Sequence, residues 1–184
     1  MHRPAIFLDR DGVINDNRAD YVKNWVEFCF LPGALAALQK LATLGWPTVI
    51  ITNQSAIGRG LISQASIEQI HRQMIEAIHW AGGRIHGIYY CPHPPEDGCN
   101  CRKPRPGLLL QAQAHLHIDL ARSILVGDAV SDLQAAQAVG SLPILVKSGR
   151  GRDQLGRWPQ EKRGEILVAE DLADAVEQIF LVRE

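Results

Sequence analysis

Short, unbroken apolar runs alternate along this chain with longer stretches in which apolar residues recur every three or four positions. The runs are Pro4 to Leu8, 47–52 (PTVIIT), 84–90 (RIHGIYY), 123–128 (SILVGD), 142–146 (LPILV) and 165–169 (EILVA). Continuous apolar character of this kind is what a strand covered on both faces requires. Helical spacing appears at Leu35, Leu38, Leu41 and Leu44, with Pro32 near its start and Gly45 past its end. A second helix is predicted from about Ser66, where Ser66 and Gln69 have capping-box spacing, through Ile67, Ile70, Met74 and Ile78 to Gly82. Further helices are expected over 108–116, over 131–140 with Gly140 closing it, and over 171–182.

Strands alternating with helices imply parallel βαβ units, hence an α/β fold: a doubly wound, mainly parallel sheet with helices on both faces. No insertion long enough to form a large cap domain interrupts the alternation, so residues 1–184 are expected to form one domain. The segment 147–164 (KSGRGRDQLGRWPQEKRG) is the irregular one, expected to be a solvated basic loop.

Composition changes this picture little. Hydrophobic residues make up 46% and charged residues 21%, and a net charge of −1 supplies no overall attraction to nucleic acid or an anionic membrane. The apolar run at the start is too short for a signal-peptide core, and no run approaches the roughly 18–20 residues of a membrane span. A cytoplasmic monomer is expected, with neither nucleic acid nor membrane as partner. Cys29 stands apart from the other cysteines and reads as a small buried hydrophobe.

In open α/β sheets ligands sit beyond the carboxyl ends of the strands. Here those ends carry Asp9 with Asp11, then Thr52 with Asn53, then Asp128 with Asp132 entering the next helix. Carboxylates crowded on one rim repel one another, whereas a hard dication keeps them ionised, which points to Mg²⁺ and, through its taste for phosphate oxygens, to a phosphorylated substrate. Asp9 could attack phosphorus, and Asp11 could protonate the leaving alkoxide and later activate water. Each feature alone would read as a turn with Gly12 or a helix cap; the three strand ends together favour a site.

Three of the four cysteines lie in residues 91–101, spaced Cys91, His93, Cys99, Cys101, directly before Arg102 and Lys103. Four such ligands fit a tetrahedral, structural Zn²⁺ with no open position, although reduced thiols or a disulfide remain alternatives at this level. A zinc-bound loop would hold the two cations still, and fixed cations are what phosphoryl transfer requires.

FLDRDGVIN (7–15), TNQS (52–55), RKP (102–104) and VGDAVSD (126–132) resemble, in order, the four motifs of the haloacid dehalogenase-like phosphatase superfamily. The resemblance implies Asp9 as nucleophile, Asp11 as general acid/base, and Thr52 and Lys103 on the transferring phosphoryl group. It also implies Mg²⁺ held by Asp9, Asp128 and the Asp11 backbone carbonyl. Asp132 is expected to orient Lys103 or a metal-bound water. The cysteine loop running into RKP is similar to the D-glycero-D-manno-heptose 1,7-bisphosphate 7-phosphatases and to the histidinol-phosphate phosphatases, in both of which the zinc loop is structural. NQSAIGRG (53–60), GIYYCPH (87–93) and KPRPGLLL (103–110) are nearer the heptose group. Its small phosphorylated sugar would then meet Asn17, Asn53, Gln54, Ser55, Arg59 and Arg102, with Arg102 on the second phosphate. One departure is Ala129, where heptose phosphatases often carry a substrate-contacting lysine. A non-catalytic zinc-stabilised module gripping nucleic-acid phosphate through Arg102, Lys103 and Arg105 is the competing reading, and the near-neutral charge argues against it.

Overall fold

The computed structural model describes residues 2–182. Six parallel strands, β1 (Ile6–Leu8), β2 (Thr48–Asn53), β3 (Gly87–Cys91), β4 (Ile124–Gly127), β5 (Leu142–Val146) and β6 (Leu167–Ala169), form one sheet in the order β3-β2-β1-β4-β5-β6. Among the described residues every named strand belongs to it. The order reverses at β1, so β1 and β4 part company above the sheet and leave a crevice at their carboxyl ends.

Strand side chains alternate between two buried faces. Ile6, Leu8, Ile50, Val126 and Ile144 pack with α1 (Ala34–Ala42), α2 (Gln64–Trp80) and α6 (Leu172–Val182). Phe7, Val49, Ile51 and Leu125 face the opposite layer, where α3 (Gly107–Leu116) and α4 (Val130–Gln137) contribute Leu108, Leu109, Ala112, Ala135 and Ala136. Burial on both sides explains why the strands read as continuous apolar runs. No helix of the described residues is long and apolar enough to cross a membrane.

Three local expectations are corrected. α2 begins at Gln64, and its cap is Ser63, whose Oγ accepts the Ser66 N–H at 3.1 Å. The first turn is polar and exposed, so the apolar period starts one turn late. Within 147–164 the chain forms α5 (Gly151–Arg157) and a short 3₁₀ turn. Its abundant glycine and arginine hid an apolar anchor: Trp158 is buried against Leu133, Leu145 and Ile166 with Leu155 beside it. Cys29 is exposed, not buried.

β1 lies at the centre of the sheet and Phe7 is fully buried in it. Phe7→Ala should cost about 3–5 kcal/mol of unfolding free energy, read as a lower urea midpoint with an unchanged m-value.

Candidate active site

The carboxyl ends of β1 and β4 bring Asp9, Asp128 and Asp132 together, with one oxygen from each lying within 4.8 Å of the others. Asp9 follows β1 directly and its N–H donates to the Val126 carbonyl at 2.9 Å, which fixes its height above the sheet. Asp128 follows β4 in the same way. Two glycines with positive φ, Gly12 (86°) and Gly149 (56°), press against its carboxylate, and a Cβ on either would collide with it. The close approach of backbone leaves Asp128 one orientation.

Three buried carboxylates need positive charge. Lys103 supplies it from the opposite side, its ammonium 3.0 Å from Asp9 Oδ1 and 2.5 Å from Asp132 Oδ1 while donating to the Ile51 carbonyl at 2.9 Å. The other oxygen of Asp132 accepts the Ala129 N–H at 3.0 Å. On the far flank Arg150 donates its backbone N–H to Asp128 Oδ2 at 2.8 Å and lays its guanidinium 3.2 Å from Oδ1. Even so, burial, only partly offset by Lys103 and reinforced by Asp132 and Asp11, pushes the Asp9 pKa up to about 6. Burial and the Asp9 charge also raise Asp128, and burial raises Asp132. Lys103 itself is held protonated: burial works against its charge, but Asp132 and Asp9 outweigh it. An undersupplied cluster of hard oxygen donors is a good fit to a divalent cation.

Asp11 is turned differently. Its carboxylate receives Arg10 Nη2 at 2.9 and 3.0 Å, Asn15 Nδ2 at 2.9 Å and Gln54 Nε2 at 2.8 Å. Burial pulls its pKa up, but the Arg10 charge and these hydrogen bonds prevail and hold it below the ordinary carboxylate range. Its side chain stands outside the three-carboxylate group, at the cavity wall.

Beyond β3, Cys91, His93, Cys99 and Cys101 converge. The three sulfurs are 3.3–3.5 Å apart, and His93 Nδ1 lies 3.3 Å from Cys101 Sγ and 3.6 Å from Cys91 Sγ. All four cysteines are free thiols. Tetrahedral zinc with Zn–S of about 2.3 Å has edges of about 3.8 Å, so the cluster is close to the size such an ion needs. The loop is tied to the strand-end residues by a reciprocal pair of hydrogen bonds. Asn53 Nδ2 donates to the Lys103 carbonyl, and the Lys103 N–H donates to Asn53 Oδ1, both at 3.1 Å. Arg102 donates to the His93 carbonyl at 3.2 Å.

Comparison with known proteins bears on this constellation. The HAD-hydrolase-like family model matches residues 100–175. The chain is 43% identical over 173 residues to the D-glycero-beta-D-manno-heptose-1,7-bisphosphate 7-phosphatase of Pseudomonas aeruginosa, covering 94% of this chain and 96% of that protein. It is also 43% identical to the enzyme of the same name from Bordetella bronchiseptica, covering 95% of this chain and 97% of that one. The chain belongs to the D-glycero-D-manno-heptose 1,7-bisphosphate 7-phosphatase family. A solved B. bronchiseptica heptose bisphosphate phosphatase, crystallised with magnesium and phosphate, superimposes with a TM-score of 0.90 at 41% identity, covering 97% of this chain and 99% of that one.

In this member of the heptose phosphatase family Asp9 and Asp11 line a cavity of about 550 Å³, while Asp128 and Asp132 are fully buried and do not line it. Asn17, Thr52, Asn53, Gln54, Ser55, Arg102 and Lys103 all line it. Arg59 does not; it pairs with Glu96 at 3.4 Å on the outer surface. Among the wall residues that escaped the sequence reading are Arg10, Arg18, Tyr21, Ser131 and Arg150. Arg150 follows the carboxyl end of β5, so the strand-end rule applied to the fifth strand would have found it. Arg18 and Tyr21 lie on the loop after β1 and carry no such signal.

An acid whose folded-state pKa is raised binds more protons when folded, so the stability it allows is full below about 3.8 and lost as pH climbs through about 6. In chelator-treated protein, Asp9→Asn should therefore raise stability at pH 7.5 by on the order of 1–3 kcal/mol, the gain shrinking towards pH 4. Urea denaturation of both proteins at the two pH values checks it.

Proposed function

We propose that this protein removes the 7-phosphate of D-glycero-D-manno-heptose 1,7-bisphosphate, in a Mg²⁺-dependent reaction serving nucleotide-activated heptose synthesis. The observation that carries the reading is the convergence of Asp9, Asp128 and Lys103, with Asp9 and Lys103 lining a polar cavity, in a chain 43% identical to phosphatases of that name.

Mg²⁺ would be held by Asp9, Asp128 and the Asp11 backbone carbonyl, and when bound it neutralises charge on the phosphoryl oxygens and favours ionised Asp9. Asp9 then attacks phosphorus, the bond to the sugar oxygen breaks, and an aspartyl-phosphate remains. Asp11, ionised in the free protein, takes up a proton when the anionic phosphate beside it raises its affinity for one, gives that proton to the leaving oxygen, and takes one back from the water that hydrolyses the intermediate. Lys103 and Thr52 hold the transferring group. Asp132 keeps Lys103 aimed, consistent with its engagement of both carboxylate oxygens. Asn17, Asn53, Gln54 and Ser55 are assigned to the sugar and Arg102 to the second phosphate. Arg150 supplies a cation on the flank where Ala129 offers none.

A structural Zn²⁺ on Cys91, His93, Cys99 and Cys101 would hold residues 91–101 rigid and so fix Arg102 and Lys103. The whole chain is assigned as one catalytic domain acting on a small phosphorylated sugar in the cytoplasm.

The deciding experiment measures kcat/KM for phosphate release from both anomers of the heptose bisphosphate and from histidinol phosphate, with Mg²⁺ and with chelator. A heptose anomer should win by about a hundredfold, worth about 2.7 kcal/mol in transition-state binding. Asp9→Asn should lower turnover by about three orders of magnitude or more; wild-type turnover in that variant would sink the mechanism, and a preference for histidinol phosphate would sink the substrate. Cys99→Ser should purify with less zinc by metal analysis and melt about 6–12 °C lower, if the site is worth about 3 kcal/mol.

A further inference from the structure

Arg10 is the largest fully buried side chain of the described residues, 1% exposed. A buried ion pair is weak grounds for stability, since apolar residues of similar volume often serve as well. A guanidinium in that position calls for another explanation, and its partners supply one. Nη2 binds both oxygens of Asp11 and lies 3.2 Å from Gln54 Oε1, while Nη1 lies 3.2 Å from Nε2 of His71. Arginine has donors only, so His71 Nε2 accepts and the ring carries its proton on Nδ1.

His71 sits on α2 among Ile67, Ile70, Met74 and Ile78, the buried residues of that helix. It is itself buried, does not line the cavity, and packs its ring edge-on to Tyr90 at 5.5 Å. Burial and the adjacent Arg10 charge push its pKa down to about 3, so it stays a neutral acceptor throughout the working range.

We infer that His71 and Arg10 are positioning residues for proton transfer: the imidazole on α2 fixes the guanidinium, and the guanidinium with Gln54 fixes the Asp11 carboxylate at the cavity wall. Gln54 completes the brace, donating to Asp11 at 2.8 Å and to Thr52 Oγ1 at 2.9 Å from the same nitrogen. Without an acceptor at position 71, Arg10 Nη1 is left buried and unpaired, and it turns away, releasing Asp11 from its set direction. The inference rests on Asp11 being the proton donor of the first step.

The test exploits leaving groups. Expelling a sugar alkoxide needs the Asp11 proton, whereas 2,4-dinitrophenolate leaves from its phosphate without one. His71→Met, which fills the same space without a strong acceptor, should lower kcat/KM for the heptose bisphosphate about 10–50-fold and that for 2,4-dinitrophenyl phosphate less than about threefold. His71→Gln, which restores an acceptor oxygen, should recover to within about threefold of wild type. His71→Asn, whose amide falls short of the guanidinium, is a second deficient variant should His71→Met fold poorly. Equal losses on both substrates, or no loss on either, overturn the inference by reducing His71 to a packing residue. Asp11→Asn runs alongside. If it shows no leaving-group selectivity, the assignment of Asp11 falls and the inference with it; if it alone shows selectivity, only the inference falls.

Discussion

The ammonium of Lys103, sunk between Asp9 and Asp132, is the contact on which the rest of the site depends. An isolated buried charge would be prohibitive, and three buried carboxylates without a cation would be worse. Each is tolerable because the other is present. The lysine therefore has to arrive at the carboxyl ends of β1 and β4 with little freedom, although it comes from a loop rich in proline and poor in regular structure. The fold solves this by anchoring Lys103 twice, through the Asn53 amide to its backbone and through the Ile51 carbonyl to its ammonium. The cysteine and histidine cluster ends two residues upstream, where a bound Zn²⁺ would restrain the remaining approach.

Electrostatics and topology are thus the same problem at two scales. The strand order reverses at β1, which opens the crevice, and the first residue past β1 and past β4 is in each case an aspartate. Gly12 and Gly149 let the backbone close on Asp128, and Ser148 donates to the Gly12 carbonyl at 2.7 Å, tying the β1 and β5 loops together. The rim is consequently built from four loops that hold one another through polar backbone contacts.

Much of this was legible in the sequence because parallel strands buried on both faces leave unbroken apolar runs, and each run ends where chemistry begins. The four motifs, the metal-binding residue types and the alternation of strand and helix all follow from local order. What stayed hidden depends on separation along the chain. Arg10 and His71 are 61 positions apart and meet only because α2 packs over β1, so neither residue type nor spacing marks them. α5 was obscured by glycine and arginine, which conceal the short helix that delivers Trp158 to the core. Arg150 was discounted with that segment, and Cys29 was judged by residue type without regard to its place on an exposed loop.

The crowding of backbone around Asp128 has a bearing on how such a protein can diverge. Neither Gly12 nor Gly149 has room for a Cβ, and Gly127 is pressed likewise against Asp132. The floor of the cavity is therefore closed to substitution at these positions. The walls are not so constrained: Asn17 and Arg18 come from one surface loop and Arg102 from another. New substrate preferences in this scaffold would have to be written in those loops, where drift is cheap, while the dephosphorylating floor is inherited unchanged.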